Sequence, residues 1–162
     1  MTKAVYAGSF DPFTNGHLYI AREAAALFEQ IIVVCAINQK KLPVFPRNEM
    51  ADAISDCLVQ NGVYNAVVVV SDKLTADVCA EFQAKYLVRG LRNTTDFLYE
   101  EEIAKFNQRF NPGLRTIYLR AVDDALSSSM VRELFSYGKN VSEYVPQSVL
   151  EILQKGGKSC SV

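Results

Sequence analysis

The sequence predicts an α/β protein: one sheet of about five parallel strands with helices on both faces. Three observations lead there. Short apolar runs alternate with longer stretches of helical period along the chain, the pattern that strand–helix–strand crossovers produce. The runs at 31–37 and 66–70 are continuously apolar, as expected of strands covered on both sides. Segments rich in glycine, charge and hydroxyl groups each follow an apolar run, and in such sheets ligands gather outside the carboxyl ends of the strands.

The elements follow in order. Residues 4–7 form a first strand, then a glycine-bearing turn, then an amphipathic helix over 17–30. The strand at 31–37 leads into a loop at 38–46 carrying Lys40-Lys41 and two prolines. Met50, Ala53, Ile54, Cys57 and Leu58 stand at helical spacing within 47–60, and Gly62 ends that helix. A strand at 66–70, a short helix at 75–84 and a strand at 86–88 come next, the last leading into a turn, Arg89-Gly90-Leu91-Arg92. A helix over 96–110 stops at Asn111-Pro112-Gly113. A strand at 116–119, a loop at 121–126, a serine-capped helix at 127–137 and a helix opened by proline at 146–154 complete the chain. This is a Rossmann-like doubly wound pattern. Residues 1–155 read as one domain and 156–162 as a mobile tail.

Composition narrows the function. A net charge of −1 argues against a general nucleic-acid or anionic-membrane binder. No apolar run is long enough to span a bilayer and the N-terminus lacks the pattern of a secretory signal, so the expectation is a cytoplasmic protein. Cys35, Cys57, Cys79 and Cys160 show no C-x-x-C spacing and have one histidine to join them, which disfavours zinc. The first three fall in predicted strand or helix and read as buried free thiols.

The stretch Gly8-Ser9-Phe10-Asp11-Pro12-Phe13-Thr14-Asn15-Gly16-His17 joins a strand to a helix start. Backbone N–H groups and the helix dipole favour phosphate at such a place. A lone histidine is more often structural, but here it opens the helix that would face a bound phosphate. Arg89 and Arg92 offer guanidinium forks suited to phosphate oxygens. Asp96, Tyr99, Glu100, Glu101 and Glu102 crowd the following helix; most read as a solvated acidic face, and one or two could bind a nucleotide's hydroxyls or support the arginines. Ser127-Ser128-Ser129 opens another helix, where one serine suffices as a cap and the others could meet phosphate oxygens. There is no covalent triad and no G-x-x-x-x-G-K-[ST] loop. What remains can position phosphate groups and stabilise charge, which is most of what phosphoryl-type transfer requires.

These residues resemble the nucleotidylyltransferase superfamily. Thr14-Asn15-Gly16-His17 is similar to its T/H-x-G-H signature, and Ser127-Ser128-Ser129-Met130-Val131-Arg132 to its S-S-T-x-[VIL]-R segment. Together with Arg89-Gly90-Leu91-Arg92 and Asp96-Phe97 through Tyr99-Glu100, they resemble the bacterial phosphopantetheine adenylyltransferase family over nearly the whole chain. The resemblance implies transfer of AMP from ATP to 4′-phosphopantetheine, giving dephospho-coenzyme A and pyrophosphate in coenzyme A synthesis. It also implies Mg²⁺, whose ligands it leaves open, and a homo-hexamer. It assigns catalytic roles to His17, Lys41 and Arg89. It places ATP against Ser9, Phe10, His17, Gly90, Leu91, Arg92 and Glu100 and against the segment Asp123, Asp124, Ala125, Leu126, Ser127, Ser128 and Ser129. The acceptor would lie against Ser9, Lys41, Thr75 and Arg89.

The chain departs from the family pattern at several positions. Ser9 and Ser129 stand where threonine is also used, Leu42 where a second lysine often precedes proline, and Met50 where arginine often follows glutamate. Two other readings compete: a related transferase with another acceptor, such as nicotinamide mononucleotide or glycerol phosphate, and a silent nucleotide-binding protein of the same fold.

Overall fold

Five apolar runs become five parallel strands: β1 (Lys3–Gly8), β2 (Gln30–Ala36), β3 (Ala66–Ser71), β4 (Tyr86–Leu91) and β5 (Arg115–Arg120). They lie in the order β3-β2-β1-β4-β5. The computed structural model describes residues 1–157, so Cys160 and most of the expected tail lie outside the described residues. Between the strands run α1 (Asn15–Leu27), α2 (Arg47–Gln60), α3 (Thr75–Glu81) and α4 (Thr94–Phe110), followed by α5 (Ser128–Ser136) and α6 (Gln147–Gly157). Gly156 and Gly157 thus continue the last helix instead of starting a tail.

Successive strand residues point to opposite faces, and two cores result. Ala4, Tyr6, Ile31, Val33 and Cys35 join the larger one with residues of α1, α2, α5 and α6. Val5, Ala7, Ile32 and Val34 join the smaller one with Val78, Cys79, Leu87 and Leu114. Cys35, Cys57 and Cys79 are buried free thiols, as their sequence context predicts. Burial pushes the first two up to about 11 and Cys79 to about 12, so none is a thiolate at neutral pH.

The strand order positions the site. β1 pairs with β4 only from Ala4↔Tyr86 to Tyr6↔Val88. Beyond Tyr6, β1 continues beside β2 to Gly8↔Cys35, and beyond Val88, β4 continues beside β5 to Leu91↔Arg120. The two strands part there, at the point where strand order reverses, and a crevice opens. This corrects the expected turn at Arg89-Gly90-Leu91: these are strand residues paired with Tyr118, Leu119 and Arg120. Helix α1 also begins earlier than residue 17, because Thr14 caps it, and ends earlier, at Leu27.

Candidate active site

The crevice is a cleft of about 430 Å³. It is walled by the carboxyl ends of β1 and β4, the start of α1, the loop bearing Lys41, one face of α4 and the start of α5.

The loop after β1 is built around an aromatic cluster. Phe10 adopts a left-handed backbone (φ 44°) and buries its ring against Tyr6, Phe13 and His17, with ring centroids 5.3, 5.2 and 5.0 Å apart. Gly8 makes this possible, since a Cβ there would lie 2.8 Å from Phe10 Cε1. Across the crevice, Gly90 lets β4 approach Ile20 of α1, because its Cβ would come within 3.2 Å of that side chain.

His17 is the third residue of α1 and half of a reciprocal cap. Its backbone N–H donates to Thr14 Oγ1 at 3.3 Å, and its Nδ1 accepts from Thr14 N–H at 3.0 Å. An Nδ1 that accepts carries no proton, so neutral His17 holds its proton on Nε2. Burial lowers its pKa to about 4, with help from the Arg92 and Arg89 charges. At neutral pH it is therefore an uncharged hydrogen-bond donor. The expected backbone donors of α1 are mostly used internally: Asn15 N–H donates to Tyr144 O at 2.8 Å and His17 N–H to its cap.

Arg89 grips Glu100 of α4 in a two-pronged pair, Nε–Oε2 2.7 Å and Nη2–Oε1 2.8 Å, and donates through Nη1 to Ala7 O at 2.7 Å. Burial opposes its charge, but the Glu100 pair outweighs that and raises its pKa. Three of its five N–H groups are used and the other two are left for a ligand. Arg92, just after β4, pairs with Asp96 in the first turn of α4, Nε–Oδ2 2.9 Å, and despite partial burial this pairing lowers the Asp96 pKa.

Each serine at the start of α5 already has a partner. Ser127 Oγ accepts from Met130 N–H at 3.1 Å, Ser128 Oγ donates to Pro12 O at 2.8 Å, and Ser129 Oγ accepts from Arg132 Nη2 at 3.2 Å. Arg132 also donates to Asp11 O at 2.7 Å. The start of α5 is thus fastened to the Asp11-Pro12 turn.

Most of the predicted site residues meet here. Ser9, Phe10, His17, Lys41, Arg89, Gly90, Arg92, Glu100, Asp123, Leu126, Ser127, Ser128 and Ser129 line the cleft. Leu91, Asp124, Ala125 and Thr75 do not line it, and Thr75 sits at the start of α3 beyond β3. Of the two loop lysines, Lys41 lines the cleft and Lys40 does not. Tyr6 and Arg132 also line the cleft without having been assigned to it, and so do Asp96 and Tyr99 of the polar cluster on α4, where Asp96 supports Arg92. The Arg132 signal was present in the S-S-S-M-V-R segment. Among the described lining residues, four cations (Lys41, Arg89, Arg92, Arg132) face three carboxylates (Asp96, Glu100, Asp123). Two of those carboxylates are already paired, so the cleft favours anions.

A strand-order reversal with cationic groups around one cleft makes a site for an anionic ligand such as a nucleotide. Residues 5–134 match the cytidylyltransferase-like family, and the chain belongs to it. Its fold is that of a solved Vibrio parahaemolyticus protein provisionally assigned as a nicotinate-nucleotide adenylyltransferase (TM-score 0.74, 18% identity, 100% of this chain and 98% of that one).

Within that family the chain is one of the phosphopantetheine adenylyltransferases. Relatives so named include those of Lactobacillus gasseri, 41% identical over 96% of this chain and 94% of that one, and of Shouchella clausii, 40% over 96% and 98%. The Leptospira biflexa relative is 42% identical over 94% and 95%.

Proposed function

We propose that this chain transfers the adenylyl group of ATP to 4′-phosphopantetheine, giving dephospho-coenzyme A and pyrophosphate. The observation that carries this reading is the convergence of His17, Lys41, Arg89, Arg92 and the start of α5 on one cleft at the β1/β4 division. A phosphate oxygen of the acceptor attacks the ATP α-phosphorus opposite the bridging oxygen. The new O–P bond forms as the bridging bond breaks, and pyrophosphate leaves with the electron pair. The nucleophile is already an anion, so no general base is needed.

His17 donates from Nε2–H to an α-phosphate oxygen as charge builds there. Being neutral, it does so without giving up a proton. Lys41 and the two remaining N–H groups of Arg89 hold the acceptor phosphate. Arg92 and the open N–H groups of Ser128 and Ser129 face the β- and γ-phosphates.

Mg²⁺ belongs to this reading as a companion of ATP that neutralises phosphate charge. Among the described residues no group of three or more His, Cys, Asp or Glu could hold a metal, and Asp96 and Glu100 are committed to arginines. The described residues thus form no cage of their own, and no step above depends on the cation. We also assign the chain to the cytoplasm, where ATP is available as the adenylyl donor. A homo-hexamer is part of the proposal, and the exposed Leu98, Phe106 and Phe110 of α4 offer an apolar face for contact between copies.

The test is pyrophosphate release from ATP and Mg²⁺ with phosphopantetheine, nicotinamide mononucleotide or glycerol 3-phosphate as acceptor. Release with phosphopantetheine alone supports the proposal. Release with another acceptor overturns the assigned substrate. ATP binding without release from any acceptor points to a silent nucleotide-binding protein.

A further inference from the structure

Arg47 has no charged ligand-facing role in the reading above, yet it makes one of the densest polar networks in the molecule. It opens α2 immediately after the Lys41 loop. Its guanidinium pairs with Asp11 (Nη2–Oδ1 2.9 Å), and both side chains are largely buried, 9% and 13% exposed. It also donates to the carbonyls of Ser9, Phe10 and Phe45. Asp11 completes the link by accepting from Val44 N–H at 2.9 Å and Phe45 N–H at 3.0 Å. The pair thus joins two segments 36 residues apart in sequence. One segment carries Ser9, Phe10 and, through ring packing, His17. The other carries Lys41, which is exposed and makes no ion pair among the described residues. Apart from the Lys41 N–H bond to Asn38 O (3.0 Å) and the Lys40 N–H bond to Asn38 Oδ1 (2.9 Å), the Lys41 loop is held at its Phe45 end by this network.

We propose that Arg47 is a positioning residue that couples the Lys41 loop to the Ser9–Phe10–His17 segment, setting the distance between the group that holds the acceptor phosphate and the group that faces the α-phosphate. This rests on the adenylyl-transfer reading of the cleft. A planar fork bonded to several carbonyls and a carboxylate fixes both position and angle, which a lysine ammonium cannot reproduce. In a reaction governed by alignment, a displacement of about 1 Å can cost up to about 10²-fold in rate.

The test is a double-mutant cycle on kcat with Arg47→Lys and Lys41→Ala, with ATP and phosphopantetheine saturating. Arg47→Lys should lower kcat about 10- to 100-fold in the otherwise unaltered chain. In the Lys41→Ala background the same change should cost less than about 2-fold, because the group it positions is gone. A merely structural arginine would give equal losses in both backgrounds. Equal losses, or an unchanged kcat for Arg47→Lys, would overturn the inference while leaving the adenylyl-transfer reading intact. Should Arg47→Lys not fold, Asp11→Asn, which keeps one acceptor oxygen for the loop N–H groups, replaces it in the same cycle with the same criteria. No pyrophosphate from the unaltered chain would overturn the functional reading and this inference with it.

Discussion

Lowering the pH tests the account of His17 most directly, because this is the only histidine in the chain and its signal needs no assignment. Its pKa falls from an ordinary 6.5 to about 4, first through burial and then through the Arg92 and Arg89 charges. At about 1.4 kcal/mol per pH unit, that gap amounts to about 3 kcal/mol against protonation in the folded state. Because the folded-state value lies below the unfolded one, the unfolded chain takes up the proton more readily. The stability this contributes is complete above pH 6.5 and is lost as pH falls through about 4. At pH 7 about one molecule in 10³ carries the imidazolium. The assay is ¹⁵N NMR of histidine-labelled protein between pH 8 and 5. The Thr14 N–H bond to Nδ1 requires an unprotonated Nδ1 and a protonated Nε2 throughout that range. A titration midpoint between pH 6 and 7, or a proton on Nδ1, would refute both the burial argument and the proposed donor role.

Three further outcomes are expected. His17→Ala should lower kcat at least about 10²-fold, as for loss of one preorganised donor, with melting temperature measured alongside; a near-unchanged kcat would remove His17 from the mechanism. Arg89→Ala should destabilise the fold by about 3–5 kcal/mol in urea unfolding, because it strands the Glu100 carboxylate, only 9% exposed. Arg89→Met with Glu100→Leu should recover much of that stability without recovering activity, and equal instability of the single and double variants would contradict the pairing argument. Gly8→Ala should cost about 1–3 kcal/mol and reduce kcat, since its Cβ would displace the Phe10 ring that packs on His17; an unaltered melting temperature would show that the ring yields freely.

The reading of Arg89 shows where local sequence information stops. An arginine and a glycine after Tyr86-Leu87-Val88 look like the end of a strand, because a charge is costly inside a sheet. The strand continues because Glu100, eleven positions on, neutralises that charge from α4. Pairing with β5 supplies the hydrogen bonds that β1 no longer provides. Likewise, Asp11-Pro12 reads as a turn and Arg47 as a helix start, and neither pattern announces a bond between residues so far apart in sequence. The triple serine shows a third kind of gap. The helix cap was legible, but the attachment of Ser128 to Pro12 and of Ser129 to Arg132 depends on how α5 docks.

By itself the sequence determined what local periodicity and residue chemistry can carry: five strands alternating with helices, buried thiols, a strand–turn–helix phosphate loop and the resemblance that locates His17, Lys41 and Arg89. Only the tertiary structure decided the order β3-β2-β1-β4-β5, the division of β1 from β4 that opens the cleft, and the neutral state of His17. The physical reason is range. Strand and helix patterns depend on neighbours a few residues away, whereas burial, ion pairing and pKa depend on groups that only the folded chain brings together.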